Sequence, residues 1–146
     1  NLKGVYLVSQ AVGREMYKRK TGSIVNIGSL NDTIMLGGCS VYGAAKSGVI
    51  ALTRSMAIEL AQYGIRCNAI VPGFYAAEQN HDLLFNKDGS YTDRAGDIIA
   101  GTPMGRFGNP EELIGAALFL ASDDAAGFVN GIVLPVDGGY SAFSGV

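Results

Sequence analysis

Three short runs rich in β-branched residues constrain what this chain can become: Ile24-Val25-Asn26-Ile27, Ile65 to Val71, and Ile132-Val133-Leu134-Pro135-Val136. Long stretches of helical spacing separate them, so the strands cannot be joined as hairpins. Strands alternating with helices call for right-handed crossovers and a parallel sheet. The expected order is a helix over 3–19, a strand over 23–28, a loop over 29–39 and a long helix over 40–62 capped near Gly64. A strand over 65–71 follows, then an irregular segment over 74–108, a helix from Asn109 to about 121, and a strand over 131–136. The irregular segment holds a turn at Asp88-Gly89 and a short helix near 92–100. Asn109-Pro110-Glu111-Glu112 is a helix start, with proline at the first position and Glu112 closing a capping box. Pro135 lacks the N–H a ladder needs on both sides, which assigns the last strand to an edge.

A chain of 146 residues suits one domain, and 48% hydrophobic against 16% charged residues predicts a packed core. The net charge of −2 offers no basic field for nucleic acid. Apolar stretches fall far short of a membrane span. The two cysteines, Cys39 and Cys67, match neither a metal site nor a disulfide framework, so both are expected as plain thiols and no metal is expected. The opening Asn1-Leu2-Lys3-Gly4 has neither methionine nor a charged leader region. A cytoplasmic piece whose beginning lies elsewhere is the expectation.

In parallel sheets ligands bind beyond the C-terminal strand ends. Ser29 and Pro72-Gly73 both fall there, and the 74–108 segment starts there, as a lid or binding loop would. Tyr42 and Lys46 stand four apart and share one face of the 40–62 helix. The lysine charge favours the ionised phenol, which suits a tyrosine that passes a proton near neutral pH. Ser29 could hydrogen-bond the same substrate oxygen. Such a set suits a carbonyl/alcohol oxidoreductase, provided something supplies a hydride. Gly43, Ala44, Ala45, Ser47 and Gly48 crowd the start of that helix. A helical glycine costs about 1 kcal/mol relative to alanine, so something is expected to pack closely there.

These residues resemble the short-chain dehydrogenase/reductase family. The matching pieces are Asn1-Leu2-Lys3-Gly4, the strand into Ser29, Tyr42-x-x-x-Lys46, Ile65-Arg66-Cys67-Asn68 before Pro72-Gly73, Arg106 to Glu112, and Val136-Asp137-Gly138-Gly139. The resemblance implies an α/β fold, the C-terminal portion of a doubly wound, Rossmann-like parallel sheet with flanking helices. It covers residues 1–146 as one partial domain without the family's N-terminal glycine-rich βαβ part. It implies that Ser29 polarises the substrate oxygen, Tyr42 is the general acid/base, and Lys46 holds the nicotinamide ribose and tunes Tyr42. Asn1 matches an asparagine that supports a water connecting the lysine to solvent. Pro72, Gly73 and the following backbone to Tyr75 would line the nicotinamide of NAD or NADP. Three departures stand out. Ala77 occupies the place of a threonine that contacts the cofactor, and Gly28 replaces a common serine. No segment matches the glycine-rich phosphate loop, since Gly101, Gly105 and Gly108 follow no strand and are interrupted by Pro103.

The tail, Tyr140 to Val146, together with Glu78-Gln79-Asn80 and Thr102 to Gly108, resembles members acting on D-mannonate and fructuronate. A sugar-acid substrate needs partners for hydroxyls and a carboxylate, and Ser29, Asn31, Gln79, Asn80, His81, Lys87 and Arg94 are the candidates. The expected function is NAD(P)-dependent interconversion of a ketone and a secondary alcohol on a sugar acid or polyol. The alternatives are reduction of another carbonyl, such as a 3-oxoacyl thioester, and a partial fold without catalysis. Expected partners are the small substrate and like copies of the chain, in a dimer or tetramer through helices 3–19 and 40–62. Neither nucleic acid nor a membrane is expected as a partner.

Overall fold

A computed structural model describes residues 1–145; Val146 and the side chain of Gln79 lie outside the described residues, and with them the expectation for Gln79. Helix α1 (Leu2–Arg19) places Lys18 and Arg19 in its last turn and stops at Lys20, which takes a left-handed conformation at φ 57°. Strand β1 (Gly22–Ile27) crosses over through α2 (Ser40–Ala61) to β2 (Ile65–Pro72). The chain then passes through a long excursion and α5 (Ile114–Ala121) to β3 (Val133–Val136). Within the excursion lie α3 (His81–Leu84) and α4 (Asp93–Ala100); α6 (Asp123–Ala126) follows α5. The three strands pair in the order β1-β2-β3, all parallel. Gly22 stands opposite Ile65 and Ile27 opposite Ile70. β3 is an edge, as Pro135 requires, and among the described residues β1 pairs on one side only.

Alternation along β2 explains how both sheet faces are filled. Ile65, Cys67, Ala69 and Val71 are buried among Ile24, Ile50, Met56 and Ala57. Burial pushes the Cys67 thiol up to about 12, so it stays protonated and inert. Within the same strand Arg66 and Asn68 are buried and polar. Arg66 donates to the Leu120 carbonyl (2.9 Å) and pairs with Asp123 (2.8 Å). Asn68 donates to the Val129 carbonyl (3.0 Å) and accepts from the Ile132 N–H (3.1 Å). Asn130 accepts from the Cys67 N–H and donates to the Ala57 carbonyl, both at 2.8 Å. The Ile65-to-Asn68 motif is therefore a clamp that fastens the α5–β3 connection to the central strand.

The excursion has its own small core of Leu84, Ala95, Ile98 and Phe107. Its two ends meet where the Gly108 N–H donates to the Phe74 carbonyl (2.9 Å). Arg106 makes a bidentate pair with Glu112 (2.8 and 2.7 Å), and Glu112 also accepts from the Asn109 N–H (2.8 Å). The predicted capping box is present, but the helix opens as a 3-10 turn over Pro110–Leu113. Helix α2 ends on Gln62 rather than Gly64; Gly64, at φ 73°, closes the next turn, where a side chain would strike the Lys20 carbonyl. Helices α3 and α6 have no counterpart in the sequence reading. Among the described residues no helix is long and apolar enough to cross a membrane.

Two outcomes follow from the polar packing. Asn68→Leu strands the Val129 carbonyl and the Ile132 N–H, and should lower stability by about 3 kcal/mol in urea unfolding. The Arg106 guanidinium and the Asn109 N–H hold the Glu112 carboxyl well below its ordinary 4.5, at about 2. A carboxyl depressed on folding stabilises above its unfolded value and loses that contribution as pH falls toward 2. In acid unfolding followed by circular dichroism, Glu112→Gln should lack the part of the transition between pH 4.5 and 2 that the parent shows.

Candidate active site

Ser29 is the first residue after Gly28 carries the β1 ladder onto the Ile70 carbonyl (2.8 Å). Its backbone is extended (φ −168°, ψ 151°), and its Oγ accepts from the Asn31 N–H at 3.3 Å. Ser29 thus caps the 3-10 turn Leu30–Asp32. A capping hydroxyl uses a lone pair on the turn and keeps its own proton to donate elsewhere.

Helix α2 brings the other two groups to the same strand end. Lys46 donates from Nζ to the Ile27 carbonyl (2.9 Å), two residues before Ser29. That ammonium sits 5.7 Å from the centre of the Tyr42 ring, one helical turn away. Tyr42 is 40% exposed, open to a ligand. The small residues on α2 have the expected close neighbours. A Cβ at Gly43 would stand 3.1 Å from the Asn31 carbonyl, and one at Gly48 would stand 2.8 Å from Leu2. Ser47 Oγ donates to the Asp32 carbonyl at 2.9 Å. The helix is therefore pressed onto the loop after Ser29, where Gly43 allows it, and onto α1, where Gly48 does.

Pro72 ends β2 at the same end of the sheet, and the Gly73 N–H donates to the Val136 carbonyl (2.9 Å). A Cβ at Gly73 would come 2.6 Å from Asp137 Cα, so no other residue fits that seat without moving backbone. Asn1 and Lys46 line one open cavity along the free side of β1, together with Val5, Val8 and Ile27. Asn31 is 2% exposed, with Oδ1 accepting from the Leu36 N–H (2.8 Å).

The remaining candidates are engaged within the excursion. Tyr75 donates its hydroxyl to the Val136 carbonyl (2.9 Å) and packs its ring against Gly108. Burial raises its pKa, and the charges of Glu112 and Asp137 raise it further. Asn80 donates to the Tyr75 carbonyl (2.9 Å) and accepts from the Ala77 N–H (2.8 Å), so both ends of its amide hold the segment together. His81 is exposed and stacks on Phe85 at 4.9 Å. Lys87 and Arg94 are exposed. Sequence reasoning missed the Ile27 carbonyl, the Leu36 N–H and the Asp137 backbone, because main-chain groups leave no mark on residue type. A Cβ at Gly28 would stand 2.9 Å from Val71 and 3.3 Å from Asp32 Oδ2, so the family's common serine would crowd this site.

Comparison with known proteins bears on the family and the fold. The family profile described as Enoyl-(Acyl carrier protein) reductase matches residues 1–141. The protein of Bacillus subtilis (strain 168) named uncharacterized oxidoreductase UxuB is 47% identical over 146 residues, 100% of this chain and 52% of that protein. The 5-keto-D-gluconate 5-reductase of Escherichia coli (strain K12) is 43% identical over 139 residues, 95% of this chain and 52% of that protein. A Haemophilus influenza structure with bound NAD, provisionally named a D-mannonate oxidoreductase, superposes with a TM-score of 0.92 at 47% identity, over 98% of this chain and 51% of that one. A gluconate 5-dehydrogenase from Burkholderia cenocepacia J2315, in complex with NADP and tartrate, gives a TM-score of 0.88 at 41% identity, over 98% of this chain and 54% of that one. The chain spans about half the length of the curated relatives it matches. On the profile match and on identity sustained along its whole length, the chain belongs to the short-chain dehydrogenase/reductase family.

Proposed function

We propose that this chain carries the proton-transfer half of an NAD(P)-dependent oxidoreductase interconverting a ketone and a secondary alcohol on a sugar acid or polyol. The observation that carries the reading is the junction at the end of β1. Ser29 caps a turn with its own proton free, and Lys46 is pinned on the Ile27 carbonyl beside Tyr42. In reduction Tyr42 gives its phenolic proton to the substrate oxygen while Ser29 donates a hydrogen bond to it. The Lys46 charge stabilises the phenolate left behind. In oxidation the same phenolate takes the proton back.

The donor set fits the nicotinamide-ribose end of a dinucleotide. Lys46 uses one of its three N–H donors on Ile27, so two remain for ribose hydroxyls. Bound NAD or NADP supplies or accepts the hydride. The backbone at Pro72 and Gly73 would line the nicotinamide, and Asn1 would support a water near Lys46. Tyr75 contributes through its backbone, since its hydroxyl is already committed to Val136. The gluconate and mannonate names of the relatives support a sugar acid as substrate, and exposed Lys87 and Arg94 offer cations for its carboxylate, with exposed His81 a hydrogen-bond partner. Residues 74–108 act as the lid over that substrate. Exposed Tyr6, Leu7, Val12 and Tyr17 on α1 support packing against a like copy of the chain.

A second reading, that the chain alone is a partial fold without catalysis, is favoured by the one-sided pairing of β1. Titration of NADH and NADPH into the 146-residue chain separates the two, because saturable binding excludes the second reading. For activity, the chain can replace the matched part of the Escherichia coli 5-keto-D-gluconate 5-reductase. We expect this chimera to reduce 5-keto-D-gluconate or fructuronate in preference to a 3-oxoacyl thioester. Tyr42→Phe should lower kcat by on the order of 10²- to 10⁴-fold, the range for a general acid. Turnover unaffected by Tyr42→Phe would remove that residue from the mechanism. Turnover of the thioester alone would move the substrate class.

A further inference from the structure

Asn31 was a candidate for touching substrate, but the structure gives it another place. It is 2% exposed, among the most buried side chains of the protein. Three of its groups face three parts of the site. Its N–H donates to Ser29 Oγ (3.3 Å), its Oδ1 accepts from the Leu36 N–H (2.8 Å), and its carbonyl lies 3.1 Å from where a Gly43 Cβ would stand, next to Tyr42. Its Nδ2 is buried without a hydrogen-bond partner. A buried amide with an unmet donor is costly, and such groups persist where the surroundings require the residue for another reason.

We infer that Asn31 is a positioning residue, whose side chain ties the Leu36 backbone to the turn after β1 so that its own N–H holds Ser29 Oγ as an acceptor. This rests on the catalytic role proposed for Ser29. A serine hydroxyl rotates freely and can donate in any of several directions. Once its lone pair is engaged by the Asn31 N–H, fewer directions remain for the O–H. The tether at Leu36 matters because the Leu30–Asp32 turn is a single 3-10 turn, too short to hold its shape by its own hydrogen bonds. Gly43 lets α2 close on the Asn31 carbonyl, so Ser29 and Tyr42 are set by opposite sides of one residue. Asn31 touches no reacting atom in this account. The buried position of its side chain, with Nδ2 shielded from solvent, is what separates it from a substrate ligand.

The test uses Asn31→Leu, which keeps the volume and removes the Oδ1 acceptor. The first readout is amide hydrogen exchange in the 146-residue chain, which needs neither cofactor nor turnover. Asn31→Leu should speed exchange at the Leu36 and Asn31 amides, whereas Ser29→Ala should speed it at Asn31 alone. Unchanged exchange at Leu36 in Asn31→Leu overturns the inference. The second readout is a double-mutant cycle in the chimera. Asn31→Leu should lower kcat by on the order of 10²-fold, as a small misplacement of a catalytic group does, with KM for the cofactor unmoved. In a Ser29→Ala background the same substitution should cost at most about threefold, since a residue acting through Ser29 has nothing left to position. Losses that add in full overturn the inference, because a structural defect or a direct substrate contact would act independently of Ser29. A chimera with no turnover on any substrate defeats the proposed function, and the exchange pattern at Leu36 and Asn31 then decides the tether by itself.

Discussion

The parallel register between β1 and β2 is the constraint on which the site depends. Ile27 opposite Ile70 brings Ser29 and Pro72 out of the sheet side by side. A parallel ladder at an edge strand also leaves its last carbonyls unmatched. The Ile27 carbonyl is one of these, and Lys46 takes it. The ammonium is therefore placed by main chain rather than by a carboxylate. Among the described residues no carboxylate forms an ion pair with it. A slip of one residue in the register would turn Ile24 and Asn26 to the wrong face and take Ser29 from the strand end.

That register is secured by polar groups buried where hydrophobic ones would be expected. Asn26 donates to Thr53 on α2 (2.9 Å), while buried Arg66 and Asn68, helped by exposed Asn130, fasten the α5–β3 crossover to β2. Apolar contacts are tolerant of small slips, whereas paired amides accept only one alignment. The satisfied amides of Asn68 and Asn130 thus do for the crossover what hydrophobic burial alone could not. At the opposite end of the sheet the demands differ, and there Gly43 and Gly73 permit close backbone approach instead.

Much of this was legible in the sequence. The strand runs, the capping box at Asn109 and the shared face of Tyr42 and Lys46 each carry a local physical signature. Four-residue helices such as α3 and α6 carry none, since one turn shows no periodicity and is stable only in tertiary context. Residue type also hides which side chains are already engaged. Asn80 looks like a sugar partner in sequence, yet both ends of its amide already bond to Tyr75 and Ala77. The Tyr75 hydroxyl likewise ends on a β3 carbonyl. Hydrogen bonds from side chain to main chain decide both cases, and main-chain positions are set only by the fold.

The excursion between β2 and α5 leaves and returns at one point, the contact of Phe74 with Gly108. Closing a loop at its own neck makes the rest of the chain nearly indifferent to what the loop contains, because the entropy of closure grows slowly with length. With a separate core around Leu84 and Phe107, the segment keeps its own packing and is tied to the rest where Tyr75 meets Val136 and Met104 meets Gly138. Sequence change away from these ties can leave the sheet, the serine cap and the lysine tether as they are. Divergence within the segment thus needs no refolding of the strand ends that hold Ser29 and Lys46.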